Sequence, residues 1–274
     1  ASAVRSASST SSKADWSRAI AMFLSVVILG RFTTETHAMA LLRQGPTRRH
    51  HLHHSPGRSL LGFDVGDSED GAFWTAFLRS LKTRGLSGVQ LVISDAHTGL
   101  RSAIEAILIG ASWQRCRVHF LRNVLAQVPK GSAEMVAAAI RTIFAQPDAE
   151  HVREQLDTIA GMLGRQLPKV ETMLREAADD ITAFADFPVL HWKKIWSTNP
   201  LERLNKEIKR RTDVVGVFPN PAALLRLAGS VLVEAHDEWQ VAEKRYLSET
   251  TLALLHPRSD SADQSVAVPA AITA

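Results

Sequence analysis

Residues 91–99 read LVISDAHTG. A short uninterrupted apolar run, Leu91 to Ile93, ends on Ser94 and Asp95, and Thr98 and Gly99 then open a new spacing at Leu100, Ile104, Ile107 and Leu108. A run of this length bounded by turn residues reads as a strand buried on both faces, and the spacing after it as an amphipathic helix. Open α/β sheets gather their functional groups at the carboxyl ends of such strands, which makes Asp95 a candidate catalytic carboxylate. The same position also suits an Asx turn or a cap for the orphan N–H groups of the next helix.

Working outward from this unit, Leu60, Leu61, Phe63 and Val65 are rich in β-formers and read as an earlier strand. After the acidic stretch DVGDSED, Phe73, Trp74, Phe77, Leu78 and Leu81 mark a helix, and Gly85 and Gly88 break the chain before the central strand. On the other side, WQRCRVHF leads into a helix striped by Phe120, Leu121, Val124, Leu125 and Val128 and closed by Pro129. Alternating strands and helices predict an α/β layered fold with buried central strands. From Lys130 to about Phe187 the apolar spacing is helical throughout, an all-α block set inside the α/β part. A helix starting near Pro200 and a last one from Ala222 to about Leu247 complete the reading.

Residues 1–58 differ in composition: a Ser-rich start, an apolar run AIAMFLSVVILG at 19–30, and the basic tract RRHHLHHSPGR at 48–58. The apolar run is shorter than the roughly 20 residues a membrane helix needs, so no membrane partner is expected. It reads as a buried helix or as a stretch without a native role. The histidine tract lacks Cys or Asp at ligand spacing and reads as a solvated basic linker. After His256 the chain is rich in Ser, Asp, Ala and Pro and reads as disordered.

The second candidate carboxylate is Glu202, in STNPLERLNKEIKRRT. Ser197, Thr198 or Asn199 can cap this helix and Pro200 suits its first turn. At about 100° per residue, Leu201, Leu204 and Ile208 form one stripe, while Glu202, Lys206 and Lys209 gather about 130° away. An exposed i, i+4 ion pair explains Glu202 and Lys206 without any function. The functional alternative is a carboxylate that binds a divalent cation, with Arg203, Lys206, Lys209, Arg210 and Arg211 engaging phosphates nearby. Asp64, Asp67, Glu69 and Asp70 do not match a calcium loop and read as acids favoured at a helix N-terminus. Cys116 and His119 form C-x-x-H, half a zinc site; both reach one centre only if the strand ends between them.

The chain has 274 residues, 45% hydrophobic and 22% charged, a composition that supports a real core. A single cysteine excludes an intrachain disulfide framework and fits a reducing cytoplasm. The formal net charge of +4 and a sequence pI near 9.5 permit a polyanion partner without requiring one. No glycine-rich phosphate loop is present, which argues against an enzyme of small phosphorylated substrates.

Three segments carry a resemblance: LLGFDVGDSEDGAFWTAFLRSLKTRGLSGVQLVISDAHTGLRSAI, then WQRCRVHFLRNVL, then WSTNPLERLNKEIKRRTDVVGVFPN. In this order and at these separations, from about Leu61 to Leu255, they resemble the Mutator-type transposases of bacterial insertion sequences. That family belongs to the DDE transposases. The resemblance implies a ribonuclease H-like mixed sheet flanked by helices, with residues 59–128 and 191–250 as the catalytic domain, 129–190 as a helical insertion, 1–58 as an atypical segment and 251–274 as a tail. It implies Asp95 and Glu202 as the second and third catalytic, metal-binding carboxylates, Cys116 and His119 as the family's C-x-x-H motif, and Mg2+ or Mn2+ as cofactor. The implied partners are double-stranded DNA and a second copy of the chain, in a bacterial cytoplasm at the nucleoid. The implied activity is DNA cleavage and strand transfer.

The family's first aspartate lies on an earlier strand, in a pattern like Asp-Ala-x-Tyr, and residues 1–58 contain no such pattern. The first strand is therefore expected to be missing or replaced, as in a truncated or frame-shifted copy, with strand transfer near background. The alternative is a non-catalytic DNA-binding remnant or a regulator of intact transposase.

Overall fold

The computed structural model describes residues 27–32, as backbone only, and residues 60–64, 70–241, 247 and 254. At its centre is a three-stranded sheet of order β1-β2-β3, formed by β1 (Val27–Phe32), β2 (Leu86–Ser94) and β3 (Ser112–Arg115). β2 and β3 are parallel, with Leu91 opposite Ser112 and Ser94 opposite Arg115. The crossover between them is α2 (Thr98–Ile107), as the reading of residues 91–99 predicts. β1 runs antiparallel to β2, placing Val27 opposite Ile93 and Phe32 opposite Leu86.

β2 separates two cores, and the period of two along a strand decides which residue serves which. Val92 joins Trp74, Leu78 and Leu81 of α1 (Gly71–Thr83) and Leu100 and Ile104 of α2. Leu91 and Ile93 turn the other way, into a cluster with Phe120 and Val124 of α3 (Arg117–Leu125). That cluster continues through α4 (Ala133–Ile143), α5 (Ala149–Gly164), α6 (Pro168–Glu176), α7 (Ala178–Thr182) and α8 (Val189–Ile195). Each of the three β2 side chains is fully buried, worth about 1.5–3 kcal/mol apiece. The helical block thus shares its core with one face of the sheet.

α9 (Asn199–Val215) and α10 (Pro221–Val241) pack around Ile208, Leu224, Val231 and Leu232. Gly216, at φ 78° and ψ −61°, closes α9 with a positive φ that favours glycine at this position. Gly99 is required for a different reason: a Cβ there would stand 2.8 Å from the backbone nitrogen of Gly71. The N-termini of α1 and α2 therefore cross at backbone contact.

Two expectations change. Leu60 to Asp64 form no strand. The Leu60 N–H donates to His236 Nδ1 and the Leu61 carbonyl accepts from Arg84, so this backbone bonds to side chains instead of to a neighbouring strand. Leu60 and Phe63, three residues apart, pack with the α9–α10 cluster. The second change concerns the apolar run at 19–30, read as a helix or as functionless. Its end belongs to β1, which occupies the edge of β2 and puts ordered structure inside residues 1–58. The histidine tract and the tail after His256 lie outside the described residues.

Candidate active site

Asp95 follows directly on β2. It does not cap α2. His97 holds the N-cap position and its Nδ1 accepts the Leu100 N–H at 3.2 Å. The Asp95 side chain, 42% exposed, is thereby left for another partner.

β3 ends at Arg115, and Cys116 is the N-cap residue of α3, so the strand stops where a common centre for Cys116 and His119 requires it to stop. The Cys116 N–H donates to the Ser94 carbonyl at 2.8 Å, which ties the carboxyl ends of β2 and β3 together. Its buried sulfur accepts from the Thr198 N–H at 3.4 Å and from the Thr198 hydroxyl at 3.3 Å. Thr198 is the N-cap residue of α9, yet its side chain makes no capping bond because the hydroxyl is turned to the sulfur. Burial pushes the Cys116 thiol up, but hydrogen bonds from His119 and Thr198 outweigh it and the net shift is downward.

Glu202 stands in the first turn of α9 and Asp95 at the end of β2, and His119 lies between them. Its Nδ1 is 2.8 Å from Asp95 Oδ1, close enough for a strong ion pair although the angle departs from that of a directed hydrogen bond. Its Nε2 is 3.6 Å from Glu202 Oε1, within ion-pair reach and too long for a hydrogen bond. The Asp95 carboxylate first, then Cys116, raise the His119 pKa to about 10, against the opposing effect of burial. The ring is an imidazolium at neutral pH, held between two carboxylates from distant parts of the chain. Ion pairing of Glu202 with Lys206 is not seen among the described residues; Glu202 faces His119 instead.

This donor set fits a divalent cation. Glu202 Oε1 is buried without a hydrogen-bond partner, and an oxygen in that condition is costly unless a cation approaches it. One donor atom each from Cys116, His119 and Glu202 lie within 4.8 Å of one another. The sulfur is already engaged by Thr198 and His119.

The five cations of α9 divide. Arg203, Lys206 and Lys209 are exposed and have no ion-pair partner among the described residues. Arg210 bonds Glu207 at 2.9 and 2.8 Å, while Arg211 bonds Glu207 at 2.9 Å and Glu234 at 3.0 Å. The two guanidinium groups hold the Glu207 carboxyl down at about 2. Of the acidic stretch, Asp70 caps α1, accepting the Phe73 N–H at 2.8 Å, as a helix-terminal acid should. Sequence reading missed the placement of His119 between the carboxylates and the clasp from Thr198 to Cys116. Its one available signal was the pairing of C-x-x-H with a Thr four residues before Glu202.

A family model described as "Transposase, Mutator family" matches residues 53–242. The chain belongs to the Mutator family of transposases. Its relatives include the transposase for insertion sequence element IS1081 of Mycobacterium tuberculosis, 48% identical over 221 residues that cover 79% of this chain and 53% of that protein. The transposase for ISRM5 of Rhizobium meliloti is 38% identical, covering 70% of this chain and 48% of the relative. The transposase for IS256 in transposon Tn4001 of Staphylococcus aureus is 37% identical, covering 70% and 49%. This member of the family spans about half the length of the curated relatives it matches. Among the described residues, no helix is long and apolar enough to cross a membrane.

Proposed function

We propose that this chain is an insertion-sequence transposase whose DNA cleavage and strand transfer are impaired, with Asp95 and Glu202 as its metal-binding carboxylates. One observation carries this reading: Asp95 and Glu202, from the end of β2 and the start of α9, converge on opposite nitrogens of His119. A strand-end carboxylate, a helix-borne carboxylate and a parallel β2–α2–β3 unit support a ribonuclease H-like catalytic domain over residues 59–128 and 191–250, with 129–190 as its helical insertion. Bound Mg2+ or Mn2+ would polarise the scissile phosphodiester and the attacking oxygen. The chain's own residues bind and orient. Asp95 and Glu202 would hold the cation, His119 fixes the angle of both carboxylates, and the Cys116–Thr198 contact sets where α9 begins. Arg203, Lys206 and Lys209 engage phosphates of double-stranded DNA nearby.

The make-up of β1 supports the impairment. Its sequence, VILGRF, contains no acid, and its antiparallel course brings Val27 beside Ile93, next to Asp95. Two carboxylates cannot readily organise the paired metals that in-line displacement uses. The same feature favours a second reading, a non-catalytic DNA-binding regulator that pairs with intact transposase as a homo-oligomer in the cytoplasm.

The deciding experiment incubates the purified chain with supercoiled plasmid and Mn2+, alongside Glu202→Gln. Weak nicking that Glu202→Gln removes supports the first reading. Salt-sensitive binding with no nicking in either protein supports the second. Robust joining of a DNA end to target would overturn the impairment.

A further inference from the structure

α9 ends in an apolar knuckle that the core does not use. Val214, Val215 and Val217 are 82%, 52% and 77% exposed, although valine is among the residue types most often buried in a folded protein. The knuckle is held from both sides. The Gly216 N–H donates to the Thr212 carbonyl and the Val217 N–H to the Val215 carbonyl, each at 3.0 Å, and the positive φ of Gly216 turns the chain out of the helix. Phe218 then packs against the cluster of Ile208 and Leu224, and Asn220 Oδ1 accepts the Ala223 N–H at 2.9 Å at the start of α10. Anchored at Thr212 and at Phe218, the segment presents its valines outward as ordered apolar surface.

The face of α9 that leads to the knuckle is basic. At about 100° per residue, Arg203, Lys206, Arg210 and Val214 lie within about 80° of one another, and all four are exposed. Ile208 and Thr212, which are buried, lie on the opposite side of the helix. Glu207 shares the basic face, but Arg210 and Arg211 are bonded to it and cancel its charge. Asp213 lies about 100° round the helix from Val214. A row of cations that runs into exposed apolar groups suits a partner that is anionic along its rim and apolar within. Duplex DNA has that form, with phosphates along the groove walls and base edges, sugars and thymine methyl groups inside. A second copy of the chain packed knuckle to knuckle would instead set like-charged faces together, which is costly. Val214 stands roughly 18 Å beyond Glu202 along the helix axis at about 1.5 Å per residue, about five base-pair steps of duplex.

We propose that the Val214–Val217 knuckle enters a groove of the duplex about five base pairs from the carboxylates, its valines against base edges and sugars while Arg203 and Lys206 hold flanking phosphates. The proposal rests on the reading of α9 as a DNA-binding helix and adds to it a contact of different chemistry. Apolar contact displaces no counter-ions, so it adds affinity without adding to the salt dependence. In EDTA, a chain carrying both Val214→Ser and Val217→Ser should bind a dye-labelled duplex about tenfold more weakly than the unaltered chain, the scale of one valine returned to water, at an unchanged slope of log affinity against log salt. Equal affinity, or a loss accompanied by a shallower slope, overturns the proposal. A second measurement needs no loss of binding: Val217→Cys is labelled with benzophenone maleimide, in a chain whose one other thiol, Cys116, is buried. Irradiation should join this variant to the duplex. Cross-linking to another copy of the chain, or to no partner at all, overturns the proposal, and the first of these makes the knuckle a protein interface. Cross-links to DNA from a chain that shows no nicking sink only the catalytic reading, and nicking without them sinks only this one.

Discussion

Asp70 and Asp95 occupy matched positions, each within three residues of the start of a helix packed on the same face of β2, and they have opposite fates. Asp70 closes α1 by accepting the Phe73 N–H. Asp95 is spared that task because His97 accepts the Leu100 N–H, and its carboxylate turns to His119. The difference lies in the neighbour that does the capping. A strand-end acid becomes available for chemistry when another side chain satisfies the helix behind it.

The sharpest way to break this comparison is to neutralise each acid and read both metal binding and stability. Asp95→Asn and Glu202→Gln should each weaken Mn2+ binding at least tenfold by calorimetric titration, while the unfolding midpoint in urea falls only by what the lost ion pair with His119 contributed. Removing a ligand oxygen from the cation site costs affinity, and neither carboxylate makes a helix-capping hydrogen bond. Asp70→Ala should do the reverse, costing about 1 kcal/mol of stability through the lost cap and leaving the Mn2+ isotherm unchanged. Equal losses of metal binding from Asp70→Ala and Asp95→Asn would remove the distinction.

Next in size is the crossing of α1 and α2. Gly99→Ala places a methyl group 2.8 Å from the Gly71 nitrogen and 3.1 Å from its Cα, and backbone cannot swing aside as a side chain can. A loss of roughly 1–3 kcal/mol is expected, the usual cost of overpacking, with lower Mn2+ affinity because α2 carries His97 and adjoins Asp95. His97→Ala sharpens the point at lower cost, about 1 kcal/mol for the cap. With its position vacated, Asp95 should compete for the helix N–H groups, and Mn2+ binding should weaken with no change at a metal ligand. Unaltered binding in His97→Ala would show that Asp95 is held by His119 alone.

The central unit was legible because its signals agree: an all-apolar run, an acid, turn residues and helical spacing leave one reading for residues 91–108. The carboxylate pair was visible as Asp95 and Glu202, and the end of the strand before Cys116 as a condition on C-x-x-H. Three features were not legible, each for a physical reason. Leu60 to Asp64 have β-rich composition, but Leu60 and Phe63 are spent on α9 and α10, a tertiary demand that overrides local propensity. The run at 19–30 has no period that separates a buried strand from a buried helix, so β1 could not be told apart. Asp95 and His97 were both able to reach α2, and only the folded geometry decides between them.

The smallest expected effect lies in the middle of α9, five residues beyond Glu202. Glu207 is held by two arginines of its own helix, with Arg210 and Arg211 both bonded to it. The carboxyl is depressed from 4.5 to about 2, so the ion pairs are intact above the ordinary glutamate range and are lost as pH falls through about 2. At neutral pH the two arginines are therefore paired with Glu207. Glu207→Gln removes a negative charge and frees Arg210, whereas Arg211 keeps Glu234. Binding of duplex DNA should tighten a few-fold, and the slope of log affinity against log salt should steepen by roughly 0.9 for one added phosphate contact. Lys206→Gln, which removes an unpaired cation, should shift the slope by the same amount in the opposite direction. If both variants leave the slope alone, DNA does not run along this face of α9, and the basic helix is a solvated surface despite its place beside the carboxylates.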